Sequence, residues 1–277
     1  MGGTVPSRAD VDHTIDLQLR GLDDIANMSL LDLSTNRSLG SQITWQLRGV
    51  EPGTCVIISD DLLRGLRMFD RFRAQYAPLR DTVSGGSTWQ HERLAGVDGY
   101  SDLASEFAGV TFAGGLYRVH DEQSGARALT LIAEALPEFT ARACPFGYDW
   151  LGRQFAVDSG RVAGGQPQVL LLEPGTGEAL EVPLHFAGFH DEELIEYADA
   201  ALATGFFDAW SAANGDSLPL GRNQSVGYRV PLFLGGHDTV ENLELSDLEV
   251  YWSICGELRQ GVRSLPPGTS INEVAMR

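Results

Sequence analysis

Four short apolar runs follow one another between residues 146 and 182, and the turns between them constrain the fold more than any other feature of the chain. The runs are Phe146-Gly147-Tyr148-Asp149-Trp150, Gln154-Phe155-Ala156-Val157, Val169-Leu170-Leu171-Leu172 and Ala179-Leu180-Glu181-Val182. Gly152, Gly164-Gly165 and Pro174-Gly175-Thr176-Gly177 separate them. Runs this short, punctuated by glycine and proline, read as strands, and the spacing suits hairpins rather than helical crossovers. An antiparallel meander is expected, and Gly175-x-Gly177 is read as one of its hairpin turns.

Helices are expected on both sides of the meander. Asp60 to Tyr76 has Leu62, Leu66, Phe69, Phe72 and Tyr76 on one face, Ser59 or Asp60 as a cap, and Pro78 as its stop. Its opposite face carries Arg64, Arg67 and Arg71, read as solvated beside Asp61 and Asp70. Residues 81–97 read as a loop. Tyr100, Leu103 and Phe107 are spaced for a short helix, Leu116 to Val119 reads as a strand, and Ala126 to Leu136 is helical in composition before Pro137. Further on, helices are expected at about 189–203, with Leu194, Tyr197, Ala198 and Leu202 inward, and at about 205–213 around Phe206, Phe207 and Trp210. A strand is expected over Val226–Phe233. Ser246 and Glu249 then form an S-x-x-E capping box for a last helix with Leu248, Tyr251, Trp252, Cys255 and Leu258 on its apolar face.

The first 60 residues read as β-rich. Ile15, Leu17 and Leu19 alternate with polar residues, as do Ile43, Trp45 and Leu47, and Cys55 to Ile58 reads as a buried strand. Leu22, Ile25, Leu30, Leu31 and Leu33 suggest a short helix or irregular core. Helices interspersed with antiparallel strands, without βαβ regularity, make an α+β fold with an N-terminal β-rich extension. Three parts are expected: 1–60 as that extension, 61–145, and 146–277, with 61–277 allowed as one compact unit.

Charge narrows the chemistry. The 277 residues carry 38 acids against 20 basic residues, a formal net charge of −18, and all 20 bases are arginine. A lysine-free chain lacks the P-loop lysine and any Schiff-base amine. Its acidity disfavours nucleic acid, whose binding rests on neutralising phosphates. Residues 166–277 hold 17 acids and 5 arginines, net −12. That excess suits either solubility or an electrostatic docking face for a basic partner. Cys55, Cys144 and Cys255 show no paired spacing and read as buried core groups. With no signal-like leader and no long apolar run, a cytoplasmic protein without a membrane span is expected.

Catalytic motifs are sparse. Gly114-Gly115 and Gly235-Gly236 do not sit in a dinucleotide fingerprint. His185 and His190 are five apart, the wrong spacing for two ligands on one helical face, and Asp191, Glu192 and Glu193 suit a helix's first turn. His237, Asp238 and Glu241 are the most enzyme-like group, able in principle to share a metal or perform acid–base work. His120-Asp121 is the other His-Asp pair, read as preceding a turn. No serine or cysteine lies in a nucleophile motif. No metal and no cofactor is expected.

Longer stretches carry a resemblance. Phe146 to Phe155, Leu171 to Glu178, Phe189-His190-Asp191-Glu192-Glu193 and Tyr228 to Leu243 resemble the type VI secretion immunity proteins that neutralise DNase effectors. That family couples a GAD-related N-terminal part to a C-terminal immunity domain and is akin to the SMI/KNR-like, or SUKH, immunity superfamily. The resemblance covers residues 100–262, including Gly115 to Arg118, and extends more weakly to Phe69-Asp70-Arg71-Phe72 and Tyr76-Ala77-Pro78. It implies inhibition by binding, with a cognate toxin as partner, neither nucleic acid nor membrane, and an oligomeric state left open.

On that reading the partner-facing residues are Asp191, Glu192, Glu193, Glu196, Asp238, Glu241 and Glu244, where the C-terminal acid is concentrated. Tyr148, Asp149, Trp150, Arg153, Gly235, Gly236 and Trp252 serve the fold, with Asp149 and Arg153 close enough to pair across a turn. Two other classes stay open: a metal- or nucleotide-dependent hydrolase built on His237, Asp238 and Glu241, and a scaffold or regulatory module.

Overall fold

The computed structural model describes residues 9–13, 28–32, 68–82 and 86–263. The chain divides into two units, Met1–Arg67 and Met68–Arg277. In the first, β1 (Ala9–His13) pairs antiparallel with β2 (Met28–Asp32). Leu30 and Leu31 thus sit in a strand, where the sequence suggested a helix or irregular core. The strands expected around Ile15, Ile43 and Cys55 lie outside the described residues.

In the second unit, the apolar runs become the centre of a seven-stranded sheet. Its strands are β3 (Arg80–Thr82), β4 (Thr111–Phe112), β5 (Tyr117–Val119), β6 (Ala143–Asp149), β7 (Gln154–Ala163), β8 (Gln166–Glu173) and β9 (Glu178–His185). Each pairs antiparallel with its neighbour in sequence, so spatial order equals chain order. The sheet continues across residue 145, since β5 pairs with β6 through Tyr117↔Asp149 and Arg118↔Tyr148. The fold is α+β.

Both faces of the sheet are covered, and that explains why Val169 to Leu172 is an unbroken apolar run rather than an alternating one. On one face Tyr117, Phe146, Phe155, Val157, Val169 and Leu171 meet α1 (Asp70–Tyr76), α2 (Tyr100–Phe107) and the helical stretch 186–196. On the other, Tyr148, Ala156, Leu170 and Leu172 meet α3 (Glu122–Ala135) and α6 (Leu248–Val262). Between these come α4 (Ala198–Leu202), α5 (Thr204–Asn214), and a separate hairpin of β10 (Gln224–Tyr228) and β11 (Leu243–Asp247).

Helix ends follow local chemistry. Asp121 caps α3: its carboxylate accepts from Ser124 N at 2.9 Å, while Ser124 Oγ accepts from Asp121 N at 3.0 Å. Burial alone would raise the Asp121 carboxyl, but the bonds from Arg222 and Ser124 outweigh it and hold the group at about 2. His120-Asp121 therefore opens a helix rather than preceding a turn. The cap of α6 is Asp247, accepting from Glu249 N and Val250 N at 3.0 and 3.1 Å. Ser246 lies within β11 instead of capping, because the strand runs one residue past it.

Three other expectations shift. The described part of the 60–76 helix begins at Asp70, where Phe69 takes a left-handed φ of 76°. The strand expected to reach Phe233 stops at Tyr228, and Pro231, which has no N–H to give a ladder, precedes a 3-10 turn at Leu232–Leu234. Tyr197, expected inward, is 54% exposed because the backbone leaves the helix there (φ −126°, ψ 33°), while Leu194 and Leu202 stay buried. Among the described residues no helix is long and apolar enough to cross a membrane.

Candidate functional site

The sequence-derived acids separate into two groups with different occupations. The first follows β9. Phe186–Gly188, Phe189–Glu193 and Leu194–Glu196 form one helical stretch whose middle is a π turn. Phe186, Phe189, His190 and Leu194 turn into the core. His190 is fully buried among Phe69, Phe72, Phe146 and Phe186; its Nδ1 meets the Phe186 carbonyl at 2.9 Å and its Nε2 the Tyr117 hydroxyl at 2.9 Å. Burial pushes the imidazole down to about 3, so it stays neutral at physiological pH.

Asp191, next to it, is spent on the fold. Its carboxylate accepts from Phe69 N at 2.6 Å and Phe72 N at 3.0 Å, supplying the cap that α1 lacks in its own sequence. Glu196 pairs with Arg71 at 2.9 Å across the same contact. Glu192 and Glu193 are half-buried, and burial together with Glu192 raises the Glu193 carboxyl. Asp191→Ala is expected to cost about 1 kcal/mol, the usual loss of a cap. Urea denaturation should show that loss, with hydrogen exchange rising first in Phe69–Tyr76. Unchanged exchange there would mean that Asp191 does not hold α1.

The second group lies on the segment joining β10 to β11. Asn242 fastens that segment. Its Oδ1 accepts from Val230 N at 3.0 Å, and its Nδ2 donates to Val230 O and His237 O, each at 2.9 Å. Gly236 makes this closure possible: a Cβ there would lie 1.9 Å from the Val230 carbonyl oxygen. Gly235 beside it takes φ 87°, the left-handed region that glycine enters without penalty. The loop is tied to the β8–β9 turn by Leu232 N donating to Gly175 O at 2.8 Å. Nothing in composition or periodicity singles out Asn242, because its role depends on a partner twelve residues away.

Held this way, the loop leaves His237, Asp238, Thr239 and Glu241 exposed, with Glu244 on the adjoining strand. Asp238 accepts from the Tyr228 hydroxyl at 2.7 Å, and Glu244 pairs loosely with Arg229 at 3.5 Å. Glu241's own backbone N–H and the Thr239 side chain hold its carboxyl below the usual range. Asp238 and Glu241 thus each serve a local partner. Among the described residues no three His, Cys, Asp or Glu side chains are grouped to hold a metal ion. His120, the other candidate histidine, is buried between Ser124 and Gln154.

The motif residues tie the sheet to the segments packed around it. Arg153 donates through Nε to Asp149 Oδ2 at 2.6 Å and through its backbone N to Oδ1 at 2.9 Å, and its Nη2 reaches the Ala201 carbonyl at 2.9 Å. Both side chains are buried. Burial raises the Asp149 carboxyl while Arg153 and Arg118 oppose that shift. Trp150 donates to Leu202 O at 2.9 Å and lies against Phe206, Phe207 and Trp210. Trp252 donates to Gly152 O at 2.7 Å, and Tyr148 to Arg222 O at 2.8 Å.

Among the described residues, a hollow of about 490 Å³ lies against Gln90, His91, Glu92 and Tyr100, away in sequence from both acidic groups. A smaller one of about 110 Å³ lies between the β10–β11 hairpin and α6.

Residues 186–259 match the family model described as T6SS immunity protein Tdi1, C-terminal. The match supports a relationship to type VI secretion immunity proteins, and it spans the π-turn stretch, the fastened loop and most of α6. No curated protein matches the chain. Among solved structures, the crystal structure of Atu4351 from Agrobacterium tumefaciens superposes with a TM-score of 0.46 at 14% identity, covering 68% of this chain and 88% of that one.

Proposed function

We propose that this protein is a non-catalytic immunity protein that acts in the cytoplasm, binding a basic toxin of the type VI secretion class and covering its active site or substrate groove. The match of residues 186–259 to an immunity-protein family model carries the reading. The fastened loop adds physical support, since it offers Asp238, Glu241 and Glu244 on a rigid frame. Binding residues are disproportionately found on loops held by a rigid scaffold, and an acidic rim speeds encounter with a basic partner. A nuclease is one toxin that suits this reading, because a phosphate-binding surface is basic and an acidic protein complements it. The GAD-related and SUKH-like relationships, a boundary near residue 60 with 61–277 as one compact unit, and a docking role for Glu192 and Glu193 belong to the same proposal.

The test is binding of the full chain to the toxin domain encoded beside its gene, followed by calorimetry and by survival of cells producing both. The pair Glu241→Arg and Glu244→Arg should weaken binding about tenfold or more, chiefly through the association rate, with the difference shrinking at high salt. Survival with no measurable complex would overturn inhibition by binding. Unchanged affinity in the charge-reversed protein would remove the loop from the interface.

A further inference from the structure

The hollow between the β10–β11 hairpin and α6 is a built feature of the packing. Gly227 and Tyr251 form its floor: a Cβ on Gly227 would lie 2.5 Å from the Tyr251 ring, so the hairpin and helix meet this closely only at glycine. The Tyr251 hydroxyl accepts from Tyr228 N at 3.2 Å, which fixes the ring across the strand. Pro231, Ile254 and Leu258 make apolar walls, and Ser246, Arg229 and Glu244 stand around the opening. Ile254 is 38% exposed, and next to Pro231 Val230 is 48% exposed.

Size decides what can enter. At about 110 Å³ the notch is well below the roughly 300–1,000 Å³ of pockets that hold cofactors and drug-sized ligands. It has room for one side chain. Apolar walls over a tyrosine ring suit a long methylene stem, and the surroundings suit a positive end. Glu244, the acid of the lining, pairs with Arg229 of the same lining at 3.5 Å, an exposed contact weak enough to be shared with an incoming cation. Glu241 and Glu257 are exposed nearby in sequence on the loop and on α6. A tyrosine ring also attracts a cation over its face.

We infer that this notch is an anchor pocket for one lysine or arginine side chain of a basic protein partner, with the stem between Ile254, Leu258 and Tyr251 and the charged end at Glu244. The inference rests on the immunity reading above and makes it local: all of the notch residues lie within the span that matches the immunity-family model. Anchors of this kind carry a disproportionate share of interface energy, because a single side chain fills a pocket that excludes water.

The probe is again the toxin domain encoded beside the gene, titrated into the full chain by calorimetry. Ser246→Phe fills the notch from a half-buried strand position, and Ile254→Arg sets a positive charge in its wall, at an exposed helix position that places little demand on folding. Asp102→Arg, on α2 outside the matched span, controls for total charge. The notch reading expects Ser246→Phe and Ile254→Arg each to weaken binding at least 30-fold while Asp102→Arg stays within threefold. Normal binding by a folded Ser246→Phe and by Ile254→Arg overturns the anchor but leaves the immunity reading standing. No binding by the unaltered chain overturns both. Loss in Ser246→Phe alone, with Ile254→Arg unaffected and a lowered melting temperature, would assign the effect to the hairpin's fold and also overturn the anchor.

Discussion

Arg153→Met should destabilise the protein by about 3–5 kcal/mol, the penalty for breaking a buried ion pair from one side. Asp149 is fully buried, and Arg153 supplies both a side-chain and a backbone hydrogen to its carboxylate. Without the guanidinium, Asp149 loses its counter-charge and the Ala201 carbonyl loses its donor. The loss should depend on pH. Burial already pushes the Asp149 carboxyl upward, and removing Arg153 leaves that push unopposed by its main partner. A carboxyl raised in the folded state favours folding below its unfolded value, near 3.9, and that contribution is lost as pH rises through the folded value. Urea titrations of the variant and the unaltered chain should therefore differ more at pH 7.5 than at pH 4.5. An equal difference at both would mean that the penalty is packing, not charge. Asp149→Leu together with Arg153→Met should recover part of the stability, since replacing both partners strands no charge.

Trp150→Ala is the other large effect. Trp150 is fully buried, packs on Phe206, Phe207 and Trp210, and satisfies the last carbonyl of α4 at Leu202. Removing a buried tryptophan costs about 3–5 kcal/mol, and the cavity here would open between β6 and α5. Because Val226 N also donates to Trp150 O at 2.7 Å, the hairpin that carries the fastened loop leans on the same residue. A drop in melting temperature should be accompanied by faster proteolysis within residues 229–242. A large drop with the loop still protected would show that the hairpin is held independently.

The sheet was legible where residues declared it locally. Gly152, Gly164-Gly165 and Pro174 to Gly177 mark the three hairpins, and each joins strands that pair with their immediate neighbours. No partner distant in sequence had to be identified. The helix around Tyr100 and Phe107 and the one stopped by Pro137 follow from the same local signals.

What stayed hidden depends on distance along the chain. Asp191 looks like a first-turn acid of its own helix, but it caps a helix that begins at Asp70. No periodicity reports a carboxylate accepting from an amide 122 residues away. Asn242 is equally silent in sequence, since it gains meaning from Val230, and Tyr251 shows as part of an apolar face but not as the partner of Gly227. Gly236 was visible as a residue but not as a requirement. His237, Asp238 and Glu241 attracted attention because they are chemically capable neighbours. In the fold, Asp238 turns to Tyr228 and Glu241 to its own turn.

The chain-ordered sheet also bears on how the protein is assembled during synthesis. Strands β3 to β9 pair only with sequence neighbours, so each hairpin can close as soon as its second strand has left the ribosome. The face built on Tyr148, Ala156, Leu170 and Leu172 is different, because Leu248 and Trp252 of α6 complete its cover. Until those residues emerge, the meander carries an apolar face that α3 shields only in part. Helix α6 is therefore the step that ends this face's exposure to aggregation and to chaperones, and a chain cut before residue 248 would retain that exposure.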